Sequence, residues 1–361
     1  MEKITTQLFS EQVNRRITWI DFLKGISIIA VVLGHALLGY TENKSFGEWN
    51  ESFLRLKDWI YIWHMPLFMC LSGFSFGLAY YRNNKLNIVR VKKQALNLAL
   101  LYYLFSIILY GLKIPLAMFT DNKMSLRDAL LNILLPNTIM WYLWVLAAFY
   151  FIFICCRTLI NKIIVKPWIT LGVLFLVAVA QKVSENFISW RLCFSNFVRL
   201  TFYFCFGLVL CIYRDKMKSR KSIRYVVIGT AVVMVHFVYY MKWTGDFKLF
   251  DSIVNEIIAT LIILLIIEYA STYQSAFFTN GLLPAIGKAS LVIYLLHTYI
   301  VTAMKVVFIR MGLCNGLLMD IIVLVLSTVI PISVCYFVDW VRRRNRVIGT
   351  IFSPVKLLRF K

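Results

Sequence analysis

Ten times along the chain an apolar stretch runs to nearly the length that crosses a bilayer. The stretches are 17–39, 58–80, 95–113, 139–156, 166–182, 197–213, 224–241, 250–270, 288–309 and 317–339. In lipid a spanning segment must satisfy its own backbone N–H and C=O groups, and a run of about twenty residues does so as a helix. The repeated pattern therefore predicts an all-α, polytopic transmembrane bundle of about ten spans. Composition agrees: 60% of the residues are hydrophobic and 16% charged, where a soluble domain carries about half and a quarter. The predicted organisation is a short cytoplasmic segment at 1–16, a ten-helix membrane domain at 17–339 and a basic cytoplasmic tail at 340–361. The first 16 residues hold no apolar core, so no cleavable signal peptide is expected and the first span stays in place. No second soluble domain and no repeat of fixed period is visible.

A net charge of +22 would suit a nucleic-acid partner, but its distribution points elsewhere. Counting from a cytoplasmic N-terminus, 25 of the 39 lysines and arginines fall in the segments facing the cytoplasm, clustered at 82–93, 157–166, 214–224 and in the tail. That is the positive-inside bias of a membrane protein; it places both termini in the cytoplasm and removes the need for nucleic acid. The outer segments are short except 114–138, where LRDALLNILL reads as a helix lying on the membrane surface. Eight cysteines show no C-x-x-C spacing, so neither a zinc site nor a disulfide framework is indicated.

Ionisable groups at membrane depth cost several kcal/mol unless paired or wetted, which makes them candidates for function. The first span, RRITWIDFLKGISIIAVVLGH (Arg15–His35), holds Asp21, Lys24 and His35. At 100° per residue Lys24 lies 60° from Asp21 and His35 about 20° from Lys24, so the three share one face. Lys24 and His35 are then about 16 Å apart along the axis. The bland alternative is a buried Asp21–Lys24 pair locking two helices, with a satisfied histidine beyond it. The topology puts His35 and His64 near the outer face, and Lys24, Arg90 and Lys93 towards the inner leaflet. Carboxylates at mid-membrane are expected to be nearly absent, with Glu256 and Glu268 near span ends. His236 reads as a packing residue.

Further segments carry chemistry or packing. Arg90 and Lys93 could bind phosphates, although a positive-inside flank explains them equally. In FMCLSGFSFG, Gly73 and Cys70 form a notch suited to close helix packing, and Ser72 is a possible nucleophile without a neighbouring base. Trp141 and Trp144 fit either an interfacial aromatic belt or a sugar-stacking platform.

In order along the chain, five blocks resemble the acyltransferase-3 family of integral membrane O-acyltransferases. They are Lys24 followed by ten residues and His35; HMPLFMCLSGF from His64; the Arg90–Lys93 pair; WYLWVL at Trp141–Leu146; and IGKASLVIYLLH ending at His297. Lysine stands at positions 24 and 93, and Met69 in the second block, where the family often has arginine and phenylalanine. The resemblance implies transfer of an acyl group, usually acetyl from acetyl-CoA, to a hydroxyl of an extracytoplasmic or lipid-linked polysaccharide. The protein would then be a multi-pass component of the bacterial cytoplasmic membrane, with no permanently bound cofactor and no metal. It implies His35 as general base or acyl carrier, Lys24 as its basic partner held by Asp21, and Lys24, Arg90 and Lys93 on the CoA phosphates. His64, Ser72, Trp141, Trp144, Tyr294 and His297 would line the pocket. No hydrolase-type domain follows the tenth span, so the chain resembles the stand-alone members. The rival from another class is a transporter or flippase of glycan intermediates, in which buried charges couple protons to movement.

Overall fold

A computed structural model of the protein describes residues 18–82, 85–116, 125–156, 163, 165–188, 192–213, 223–242, 248–272 and 281–357. Arg15, Arg16 and the rest of segment 1–16 lie outside the described residues. The helices are α1 (Thr18–Glu42), α2 (Asn50–Tyr80), α3 (Ile88–Leu116), α4 (Leu126–Leu134), α5 (Trp141–Cys155), α6 (Pro167–Ser184) and α7 (Leu192–Tyr213). Then come α8 (Ile223–Lys242), α9 (Lys248–Thr272), α10 (Leu282–Lys288), α11 (Ser290–Arg310), α12 (Leu317–Arg344) and α13 (Arg346–Ile351). A two-residue antiparallel ribbon, Tyr81–Arg82 with Lys85–Leu86, is the one departure from helix pairing among the described residues.

Each of the ten apolar stretches is a helix. Eight are long and apolar enough to cross a membrane; Trp141–Cys155 and Val226–Lys242 are shorter. Large side chains such as Leu176, Val235, Leu318 and Phe337 are exposed on the outside of the bundle, the surface lipid would cover. The second span begins earlier than hydropathy indicated: α2 starts at Asn50 rather than 58, because polar residues there continue the helix. The ninth is split at Ala289 into α10 and α11. LRDALLNILL forms the short helix α4, capped by Ser125 Oγ, which accepts from the Asp128 N–H at 3.1 Å. The segment beyond 340 continues α12 to Arg344 and then folds back on α3. There Phe352 meets Phe105 and the Val355 N–H donates to Asn97 Oδ1.

Two glycine crossings set the inner architecture. A Cβ at Gly73 (α2) would land on the Phe204 carbonyl of α7, and one at Gly207 (α7) on the Cys70 carbonyl of α2. The Cys70–Gly73 notch is thus half of a reciprocal contact whose other half is Gly207. Gly25 (α1) and Gly287 (α10) make a second such crossing, against the Leu283 and Asp21 carbonyls. Backbone cannot yield as a flexible side chain does. Gly207→Ala should therefore cost at least the roughly 1–3 kcal/mol of an overpacked core, whereas Gly111→Ala, with open space around it, should not. Thermal unfolding of the two detergent-solubilised variants checks this; equal melting points would refute the contact.

Candidate functional site

α1 packs against α2, α10, α11 and α12, so the face carrying Asp21, Lys24 and His35 is enclosed by helices far away in sequence. Asp21 is buried at the α1–α10 crossing. Lys24 lines a cavity of about 260 Å³ with Ser72, Ser75, Ala79 and Tyr80 of α2, Gln94 of α3, Tyr142 and Tyr150 of α5, and Ser290 and Tyr294 of α11. On α2 the lining runs from Phe68 to Tyr80, about 18 Å at 1.5 Å per residue. A space that long with so little volume is a slot. At its Tyr80 end Ala79 is exposed.

The other end of the slot is closed by tyrosines. Tyr142 OH and Ser72 Oγ are 2.7 Å apart, and the Tyr142 ring lies 5.2 Å from Phe68 and 5.6 Å from Tyr294. Tyr294 OH donates to the Ile139 carbonyl at 3.0 Å. One ring beyond Tyr294, the histidines gather. His297 is 6.1 Å from Tyr294 and 5.2 Å from His35; Tyr61 is 6.4 Å from His35 and 4.8 Å from His64. Gly34 lets Tyr61 come this close, since a Cβ there would sit 2.8 Å from the ring. The His64 Nδ1–H donates to the Ile60 carbonyl at 2.7 Å, because an oxygen with only lone pairs requires the proton on nitrogen. Among the described residues no group of three or more His, Cys, Asp or Glu could hold a metal.

The remaining candidates are placed as follows. Arg90 and Lys93 are exposed on the first turns of α3, outside the slot. Arg90 is four residues from the slot residue Gln94 and shares its face; Lys93 is turned 100° away. Trp144 packs edge-on to Phe194 of α7, and neither Trp144 nor Trp141 lines the slot. Tyr142, between them, does. Ser72 is eight residues from His64, about 12 Å along α2.

One buried network was not anticipated. Pro66 stands inside α2 and has no N–H, which leaves the Ile62 carbonyl without its helical donor. Arg199 of α7 supplies one, its guanidinium reaching that oxygen at 3.2 Å. Arg199 is ion-paired with Glu256 of α9, whose second oxygen accepts from Tyr203 OH at 2.6 Å. This corrects the expectation that interior carboxylates are nearly absent: Glu256, about two turns into α9, is 0% exposed. Arg199 is buried too. The proline in HMPLF was the available signal, since a broken backbone bond in a membrane interior needs a donor from elsewhere.

Fold and site together define a polytopic helical membrane protein with an ionisable, imidazole-rich interior. The acyltransferase-3 family model, an acyltransferase domain, matches residues 17–340, and the chain belongs to that family. It is similar to nodulation protein NolL of Sinorhizobium fredii (strain NBRC 101917 / NGR234), 46% identical over 61 residues, 17% of this chain and 16% of that protein. It is also similar to nodulation protein NolL of Mesorhizobium japonicum (strain LMG 29417 / CECT 9101 / MAFF 303099), 29% identical over 155 residues, 42% of this chain and 38% of that protein. The matched stretch thus spans less than half of either relative. No solved structure matches.

Proposed function

We propose that the protein transfers an acyl group, acetyl in the first instance, from cytoplasmic acyl-CoA to a hydroxyl of an extracytoplasmic or lipid-linked polysaccharide. The setting would be the bacterial cytoplasmic membrane, and the product a modified cell-envelope glycan. The observation that carries this reading is the slot. Lined by Lys24, it runs from the exposed end of α2, beside the start of α3, to Tyr294, whose ring adjoins His297, which in turn adjoins His35. Its volume of about 260 Å³ is below the roughly 300–1,000 Å³ that encloses a drug-sized molecule. That suits a thin thioester arm whose bulky phosphorylated end remains outside.

In this reading Arg90, Lys93 and Lys24 hold phosphates, and Asp21 positions Lys24. His35 acts as general base on the acceptor hydroxyl, with His64 flanking the same pocket and Ser72, Tyr142 and Tyr294 lining the path of the acyl group. Trp141 and Trp144 would contact the acceptor only from the rim. The buried Glu256 means that scarcity of interior carboxylates does not weigh against a proton-coupled carrier. Its fixed ion pair does, because a coupling carboxylate must exchange its proton.

The test is transfer of label from [14C]acetyl-CoA to glycan by membranes containing the protein; a glycan left unlabelled, beside an active control, overturns the reading. Donor binding gives a finer expectation. Arg90→Ala should raise the KM for acetyl-CoA by about 1.5–3 kcal/mol in equivalent free energy, the worth of a charge-assisted contact. Lys93→Ala, on the face turned from Gln94, should raise it less. Equal, unchanged KM values would return both residues to a role in orientation.

A further inference from the structure

The slot has two unlike ends. At the Tyr80 end it is open, beside the exposed Ala79. At the other end three rings shut it, those of Phe68 on α2, Tyr142 on α5 and Tyr294 on α11. Tyr142 is the central one, edge-on to Phe68 at 5.2 Å and 5.6 Å from Tyr294. Its hydroxyl lies 2.7 Å from Ser72 Oγ and donates to the Phe68 carbonyl at 3.4 Å, which ties α5 to α2. Tyr294 OH donates to the Ile139 carbonyl at 3.0 Å, which ties α11 to the residues just before α5. The wall is therefore pinned from three helices. Tyr142 is buried, and swinging it aside leaves its hydroxyl unpaired at a cost of about 1–3 kcal/mol.

We propose that Tyr142 is the stop that measures the acyl chain of the donor and limits it to acetyl. This rests on the acyl-transfer reading, in which the bulky nucleotide end stays at the mouth and the thioester arm enters the slot. In acyl-CoA about a dozen bonds join the phosphate-bearing oxygen of that arm to its sulfur. At the roughly 1.2 Å per bond of an extended chain they span about 14 Å. The slot lining on α2, from Phe68 to Tyr80, spans about 18 Å. About 4 Å is left for the acyl group. Acetyl needs about 2.4 Å to its methyl carbon and nearly 2 Å more for the radius of that carbon, so it ends against the rings. Each further methylene must push into Phe68, Tyr142 or Tyr294, and overpacking of that kind costs about 1–3 kcal/mol. Tyr142 thus governs the choice of donor, while the chemistry stays with the histidines beyond Tyr294.

Competing donors test this. In the transfer assay kcat/KM should fall by about 10–200-fold from acetyl-CoA to propionyl-CoA, the discrimination a pocket exerts over one methylene, and further for butyryl-CoA. Tyr142→Ala should return at least about tenfold of the butyryl-to-acetyl ratio. Tyr142→Phe keeps the ring and should keep the order of preference. So should Leu146→Ala, which widens the slot one turn short of the wall. The inert thioethers S-ethyl-CoA and S-hexyl-CoA give a readout without turnover. At equal concentration the ethyl compound should raise the melting temperature of the wild type more than the hexyl compound, and Tyr142→Ala should reverse that order. Equal use of acetyl and butyryl donors by the wild type, or relaxation by Leu146→Ala as large as by Tyr142→Ala, overturns the proposal. If Tyr142→Ala fails to fold, Phe68→Ala opens the same wall, and the wild-type ranking of the thioethers still decides the matter. A wild-type protein that ranks the thioethers as expected but transfers no acyl group would refute the acyl-transfer reading alone.

Discussion

Membranes carrying His35→Ala protein at wild-type levels should transfer acyl label at least 10²–10⁴-fold more slowly than wild type, about the span that one general base contributes. The expectation follows from where three helices put their rings. His35 lies on the same face of α1 as Lys24, and Lys24 lines the slot. The far end of the slot is closed by Tyr294, which adjoins His297, and His297 adjoins His35. In the proposed reaction the hydroxyl to be acylated loses its proton beside His35. His64→Ala should cost less, because the ring that the His64 imidazole packs against is Tyr61, which in turn neighbours His35. The loss in His35→Ala should fall on kcat, leaving the KM for acetyl-CoA within a few-fold of wild type. Normal labelling by well-expressed His35→Ala protein would remove His35 from the chemistry, and a loss confined to KM would make it a binding residue.

Breaking the Arg199–Glu256 pair should be the most damaging single change to stability outside the histidine cluster. Glu256→Leu leaves a buried guanidinium without its counter-ion, which costs about 3–5 kcal/mol. Glu256 is 0% exposed and the Arg199 side chain 11% exposed, so water screens the pair little. Replacing both, as Arg199→Met with Glu256→Leu, should recover much of that stability, since no lone charge remains. Recovery should be incomplete, because the Ile62 carbonyl then loses the donor that Arg199 provides in place of the missing Pro66 N–H. Adding Pro66→Ala, which restores that N–H, should close most of the gap. SDS-induced unfolding of the series checks the cycle. A Glu256→Leu protein as stable as wild type would show that the pair is solvated, and additive effects in the double variant would deny the coupling.

Much of the fold was legible because its determinants are local. Helix formation in lipid depends on the length and apolarity of one segment at a time; all ten apolar segments are helical, and eight are long and apolar enough to cross a membrane. The shared face of Asp21, Lys24 and His35 is fixed by helical pitch alone, and α4 was legible in the helix-like stretch LRDALLNILL. The packing notch at Cys70–Gly73 was likewise visible, and Gly207 is the residue that stands opposite it.

What pitch cannot decide is which helix stands opposite. Trp141 and Trp144 drew attention by size and chemistry, yet on α5 the face presented to the slot is that of Tyr142, Leu146 and Tyr150. Glu256 seemed peripheral because hydropathy started the eighth span at 250; the pairing of α9 with α2 carried it inside, against an arginine 57 positions earlier. The meeting of His35 with His297, and of Arg199 with the carbonyl that Pro66 abandons, joins residues far apart in the chain. Sequence thus determined the helices and the face each charge occupies, because those are properties of single segments. Only the tertiary structure chose partners for those faces, because burying a charge or an orphaned carbonyl is settled by whichever distant side chain can pair with it.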